Sequence, residues 1–108
     1  MRKLLASLLF VPCMASAEFM SGNNLYSKMN GDFGDKMLAL GFVQGVFDVY
    51  VNVTICPPNN ITVGQVSDMV RGYFDNNPSI RHKTAESLIN QALKQAWPCS
   101  SQNNRGGV

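Results

Sequence analysis

Histidine is nearly missing from this chain: His82 is the only one in 108 residues. That shortage leaves a histidine-rich metal site, or a nucleophile–histidine pair, without its partners. A lone histidine in a polar turn reads first as surface. Charged residues make up only 15% of the chain, and no pair of carboxylates stands out for hydrolysis. Asp32 and Asp35 have the spacing of ordinary helix caps. The N-terminal apolar run, Leu4 to Val11, is too short to cross a bilayer as a helix, which takes about 20 residues. The chain has no internal repeats. These absences argue against a hydrolase and a zinc site, and against a span at the N-terminal run.

The N-terminus reads as a secretory signal over residues 1–17. Arg2 and Lys3 are a basic start, Leu4 to Val11 a short apolar stretch, and Ala15-Ser16-Ala17 a small-residue cleavage site after Pro12. A lipid-anchored reading would use Cys13, but Phe10 and Pro12 suit that motif poorly. Cleavage after Ala17 removes Arg2 and Lys3 from the nine basic residues, leaving seven against seven acidic ones. A neutral surface gives no footprint for nucleic acid and no polybasic membrane anchor. The chain is therefore expected in an exported compartment, with no stable membrane anchor after cleavage.

Cys13 leaves with the signal, so Cys56 and Cys99 remain. Two cysteines in a small exported protein favour a disulfide. Two buried thiols, or a bridge between chains, are the alternatives. A bridge closing this loop constrains the unfolded chain by about 4 kcal/mol.

Periodicity predicts an all-α bundle of about four helices in one domain, 18–99, with an apolar-poor, disordered tail at 100–108. The first helix lies within Phe19–Met29, capped by Ser21 or Asn23. The second runs from Asp35 to about Thr54 and is apolar on most sides, with Leu38, Phe42, Val46, Val49 and Val53 in one stripe. It reads as a buried central helix. Gln44, Asp48 and Asn52 make a polar line on it that faces solvent or else a partner, and Gly41-x-x-x-Gly45 lets another helix approach closely, as simple packing first and as a dimer face second. Alternation over Val49–Ile55 also fits a strand, but no second strand is there to pair with it.

Cys56-Pro57-Pro58-Asn59-Asn60 stops the helix. Thr62-x-x-Gln65 is a capping box opening the third helix, with Val63, Val66, Val70, Tyr73 and Phe74 inward and Asp68, Arg71 and Asp75 outward. Asn76-Asn77-Pro78 ends it. Thr84 opens the fourth helix, whose stripe is Ala85, Leu88, Ile89, Ala92, Leu93, Ala96 and Trp97. Tyr26, Tyr50, Tyr73 and Trp97 lie on or beside these stripes and read as core. Asn52-Val53-Thr54 and Asn60-Ile61-Thr62 match the glycosylation sequon, but one falls in the helix read as buried and the other in a cap.

The connection Asn77-Pro78-Ser79-Ile80-Arg81-His82-Lys83 is an exposed basic loop with one apolar residue; such a loop is usually a solvated linker, and it is also the segment best shaped to probe a partner's cleft.

An ordered set of motifs carries a resemblance. Gly41-Phe42-Val43-Gln44-Gly45-Val46-Phe47-Asp48 is followed by Cys56-Pro57, Val63-Gly64-Gln65 and Tyr73-Phe74-Asp75-Asn76-Asn77-Pro78. Ala92-Leu93-Lys94-Gln95-Ala96-Trp97-Pro98-Cys99 closes it. The chain resembles, over roughly residues 22–99, the Rap/Tai family of type VI secretion immunity proteins. The resemblance implies a small helical periplasmic protein, a homodimer in many members, that is no enzyme and needs no cofactor or metal. Its partner would be a cognate peptidoglycan amidase effector, blocked by covering its catalytic cleft. On that reading Asn77, Ser79, Ile80, Arg81, His82 and Lys83 are the expected partner-binding residues. The second reading is a periplasmic helical binding or chaperone module, similar to disulfide-bridged acid-stress chaperones. A small secreted hydrolase is the third.

Overall fold

Each helix starts at a polar residue, and at three of the four its side chain accepts from a first-turn amide. A computed structural model describes residues 19–99. The expected signal (1–17) and tail (100–108) lie outside the described residues. Helix α1 spans Gly22–Met29, α2 Phe33–Tyr50, α3 Val63–Asn76 and α4 Ala85–Ala96. No strand forms among the described residues, which makes the domain all-α. Ser21 caps α1, its Oγ accepting from the Asn24 amide at 3.1 Å. Asp32 caps α2, accepting from the Asp35 amide at 2.9 Å. Both halves of the Thr62–Gln65 capping box are present on α3. Thr84 stands at the α4 cap, but its hydroxyl donates to Ser87 Oγ instead of accepting from an amide.

All six pairs of helices touch. Leu25 and Met29 from α1, Ala39, Val43 and Val46 from α2, Val66, Val70 and Phe74 from α3, and Leu88, Ile89 and Leu93 from α4 share one core. Tyr26, Tyr50, Tyr73 and Trp97 pack half-buried against it. Ile55 is fully buried in the connection between α2 and α3. The Cys56–Cys99 disulfide joins that connection to the end of α4. Beside it the Cys56 amide donates to the Trp97 carbonyl at 2.8 Å.

Helix α2 departs from expectation at both ends and on its outer side. It begins two residues earlier, at the Asp32 cap, and stops at Tyr50 instead of near Thr54. Val51 is extended and Asn52 takes a left-handed φ of 64°. The amides of Val53, Thr54 and Ile55 all turn back to the Tyr50 carbonyl. The alternating run Val49–Ile55 yields only isolated bridges, Val51 with Ile55 and Ile55 with Pro98. Nor is α2 buried on most sides. One face enters the core, while Leu38, Val49 and Val53 from the expected stripe are exposed. Gly41 and Gly45 meet no neighbour that a Cβ would approach within 4 Å, so the glycine pair does not serve packing within the chain. Asn52, expected on the solvent-facing polar line of the helix, is exposed but lies in the turn beyond its end. Arg71, expected outward, is half-buried and caps the end of α1, donating to Met29 O and Asn30 Oδ1 at 2.6 Å each.

Candidate functional site

The connection between α3 and α4 begins with a polar stop. Asn77 folds back, its side-chain amide donating to Tyr73 O at 2.9 Å. Pro78 then opens a single 3-10 turn, Pro78–Ile80, continued by the Lys83 amide donating to Ile80 O at 3.0 Å. Proline fits the first position of such a turn because no amide is required of it there.

The loop is fastened to the start of α1. A helix leaves its first amides without partners inside it. Here Gly22 N donates to Lys83 O at 2.8 Å and Asn23 N to Arg81 O at 2.7 Å, while Asn24 N takes the Ser21 hydroxyl. The Ala85 amide donates in return to Met20 O at 2.8 Å. Loop and helix start thus satisfy one another's backbone.

Arg81 adds a side-chain strut. Its Nε donates to Phe74 O at 2.8 Å, and its guanidinium carbon lies 4.0 Å from the centre of the Tyr26 ring. That ring meets Phe74 edge-on at 6.0 Å, and the Tyr26 hydroxyl donates to Asp75. The hydrogen bond to Asp75, then lost solvation and the carboxylate's charge, raise the Tyr26 hydroxyl above its ordinary pKa, against opposing effects of Arg81 and Arg71. A similar hydroxyl bond joins Tyr50 of α2 to Glu86 of α4 and raises Tyr50 too.

The six residues singled out from sequence therefore divide. Ile80 is half-buried against the core, Asn77 is half-buried and closes α3, and Arg81 is half-buried and turned inward. Ser79, His82 and Lys83 are exposed, with Pro78 beside them. The sequence reading missed Tyr26, Asp75 and Gly22 as supports of this loop. No periodic signal marks them, since they come from distant elements. What the arrangement offers chemically is a rigid polar, basic edge, suited to recognition. Among the described residues no three His, Cys, Asp or Glu side chains gather to hold a metal ion. Among them, too, no helix is long and apolar enough to cross a membrane.

The family model of Rap1a immunity proteins matches residues 21–99. That span holds all four helices, both bridged cysteines and the loop. No curated protein matches the chain.

Proposed function

Since the chain belongs to the Rap1a immunity protein family, whose members bind a partner effector protein, we propose that its partner is a peptidoglycan amidase delivered by type VI secretion. It blocks that enzyme in the periplasm by stoichiometric binding and catalyses nothing itself. The family match over residues 21–99 carries this reading. The reading includes an export signal at 1–17, a binding domain at 18–99 and a tail at 100–108. It also includes assembly as a homodimer.

The loop of residues 77–83 enters or flanks the amidase cleft. Its exposed residues Ser79, His82 and Lys83 make the contact, and Asn77, Ile80 and Arg81 hold them in place. Preorganisation of this kind favours tight binding, because little loop freedom is left to lose on association. The acid-stress chaperone alternative calls for a buried group that charges on acidification. No charged or polar side chain is buried among the described residues, so no observation favours it.

The test is a pull-down with the oxidised, exported chain from a periplasmic extract of cells expressing their secreted toxins. One stoichiometric amidase, inhibited in the complex, supports the reading. Many weak clients whose number grows at acid pH would replace it with the chaperone reading.

A further inference from the structure

The turn between α1 and α2 contains Asn30-Gly31, the only Asn-Gly pair in the chain. Such a pair can modify itself in water. The Gly31 amide nitrogen attacks Asn30 Cγ and closes a succinimide ring. The bond from Cγ to Nδ2 breaks, and ammonia leaves, carrying off the proton of the attacking amide. Water then opens the ring at either carbonyl, giving aspartate or isoaspartate. Glycine in second place favours the attack because no side chain shields its nitrogen. Asn30 is exposed, so water reaches it.

The fold keeps the attacking nitrogen and the carboxamide apart. Asn30 has a ψ of 9°, which sets the Gly31 nitrogen beside Asn30's own nitrogen and away from Cγ. The Gly31 amide donates to Lys28 O at 3.1 Å. The carboxamide is held at both ends. Its Nδ2 donates to Tyr26 O at 3.0 Å, and its Oδ1 accepts from Arg71 Nη1 at 2.6 Å. Arg71 Nη2 donates to Met29 O at 2.6 Å, so one guanidinium grips the backbone of residue 29 and the side chain of residue 30. A planar fork of this kind fixes orientation as well as distance. Attack therefore requires the end of α1 to open, and fraying ends open at the lowest free energy in a fold.

Packing and hydrogen bonding both call for this pair as it stands. A Cβ at Gly31 would run into Asp35 Oδ2 and lie 2.8 Å from Asp35 Cβ. A carboxylate at position 30 could not donate to Tyr26 O, and it would set a negative charge at the C-terminal end of a helix. Isoaspartate would add a carbon to the backbone where Gly31 already abuts Asp35. Either product loosens the end of α1, the helix that carries Tyr26 against Arg81. We propose that Asn30-Gly31 is a site of spontaneous deamidation, and that Arg71, reaching across from α3, holds it closed in the folded protein.

The test incubates the oxidised, exported chain at mildly alkaline pH and follows residue 30 by peptide mass spectrometry. Reduced wild type in urea is the open reference. Arg71→Met keeps the apolar stem and removes the guanidinium. Arg71→Lys keeps stem and charge without the fork, and serves if Arg71→Met does not fold. The unfolded chain is expected to convert, and folded wild type to convert about tenfold or more slowly than it. The folded variant is expected to convert about tenfold or more faster than folded wild type, the loss that goes with charged hydrogen bonds. Amide exchange at Val43, in the core, is expected to stay unchanged, because the opening is local. Residue 30 intact in the unfolded chain overturns the site. Folded wild type that converts as fast as the unfolded chain overturns the protection. A folded variant as slow as wild type, or one whose Val43 exchange rises in step with conversion, overturns the role of Arg71.

Discussion

At Gly22 the chain has no room for a methyl group. An added Cβ would lie 2.6 Å from Leu88 Cδ1 and 2.8 Å from the Arg81 carbonyl oxygen. The leucine tip can swing away, but the carbonyl is backbone and belongs to the loop that caps α1. Gly22→Ala is expected to lower stability by about 1–3 kcal/mol, as overpacking does, and to speed hydrogen exchange at the Asn23 amide. Urea unfolding and exchange measurements check both. The tyrosine–carboxylate bonds give a second prediction at this scale. Tyr26 and Tyr50 are raised above their ordinary 10.0, first by hydrogen bonds to Asp75 and Glu86. A phenol favoured in its protonated form by folding adds stability that is complete below the unfolded pKa. That stability is lost as pH rises through the folded pKa. Wild type should therefore lose stability above pH 10.0, and the Tyr26→Phe/Tyr50→Phe double variant should lose less over the same interval. Denaturant midpoints across the alkaline range measure the difference. None of these supports could be read from spacing. Arg81 looked like an exposed loop cation because the ring and carbonyl that hold it come from α1 and α3.

Helix starts were legible in the sequence because they depend on a few adjacent side chains. Thr62 and Gln65 bond reciprocally across the first turn of α3. Thr62→Ala is expected to lower stability by about 1 kcal/mol, the usual loss of a cap, measured by thermal or urea unfolding. The end of α2 was less legible. Nothing in Val-Asn-Val-Thr-Ile forbids another helical turn, and the β-branched residues only weaken it. What stops the helix is tertiary: Ile55 must reach the core, and Cys56 must reach Cys99 and the Trp97 carbonyl. The chain therefore turns at Asn52. The same helix shows why an apolar pattern overstates burial. Phe42 and Val46 of the predicted stripe pack inward, whereas Leu38 and Val49 rotate to the outside, where no other described residue covers them. The pattern records apolar faces but not which of them the same chain fills.

For the molecule as a whole, the disulfide ties the α2–α3 connection to the end of α4 and closes 43 residue steps. Replacing both cysteines by serine should remove about 2–5 kcal/mol of stability, seen as a lower unfolding midpoint that matches that of reduced wild type. The bundle fixed in this way holds the loop's exposed edge on supports from α1 and α3, and recognition of an effector is the use proposed for it. The most direct test titrates the hydrolysis of peptidoglycan by the cognate amidase with the oxidised chain. Wild type is run beside a Ser79→Ala/His82→Ala/Lys83→Ala variant of equal thermal stability. The account predicts that hydrolysis stops at one chain per enzyme for wild type, while the variant needs about tenfold or more excess. Undiminished hydrolysis in the presence of excess wild-type chain would contradict it.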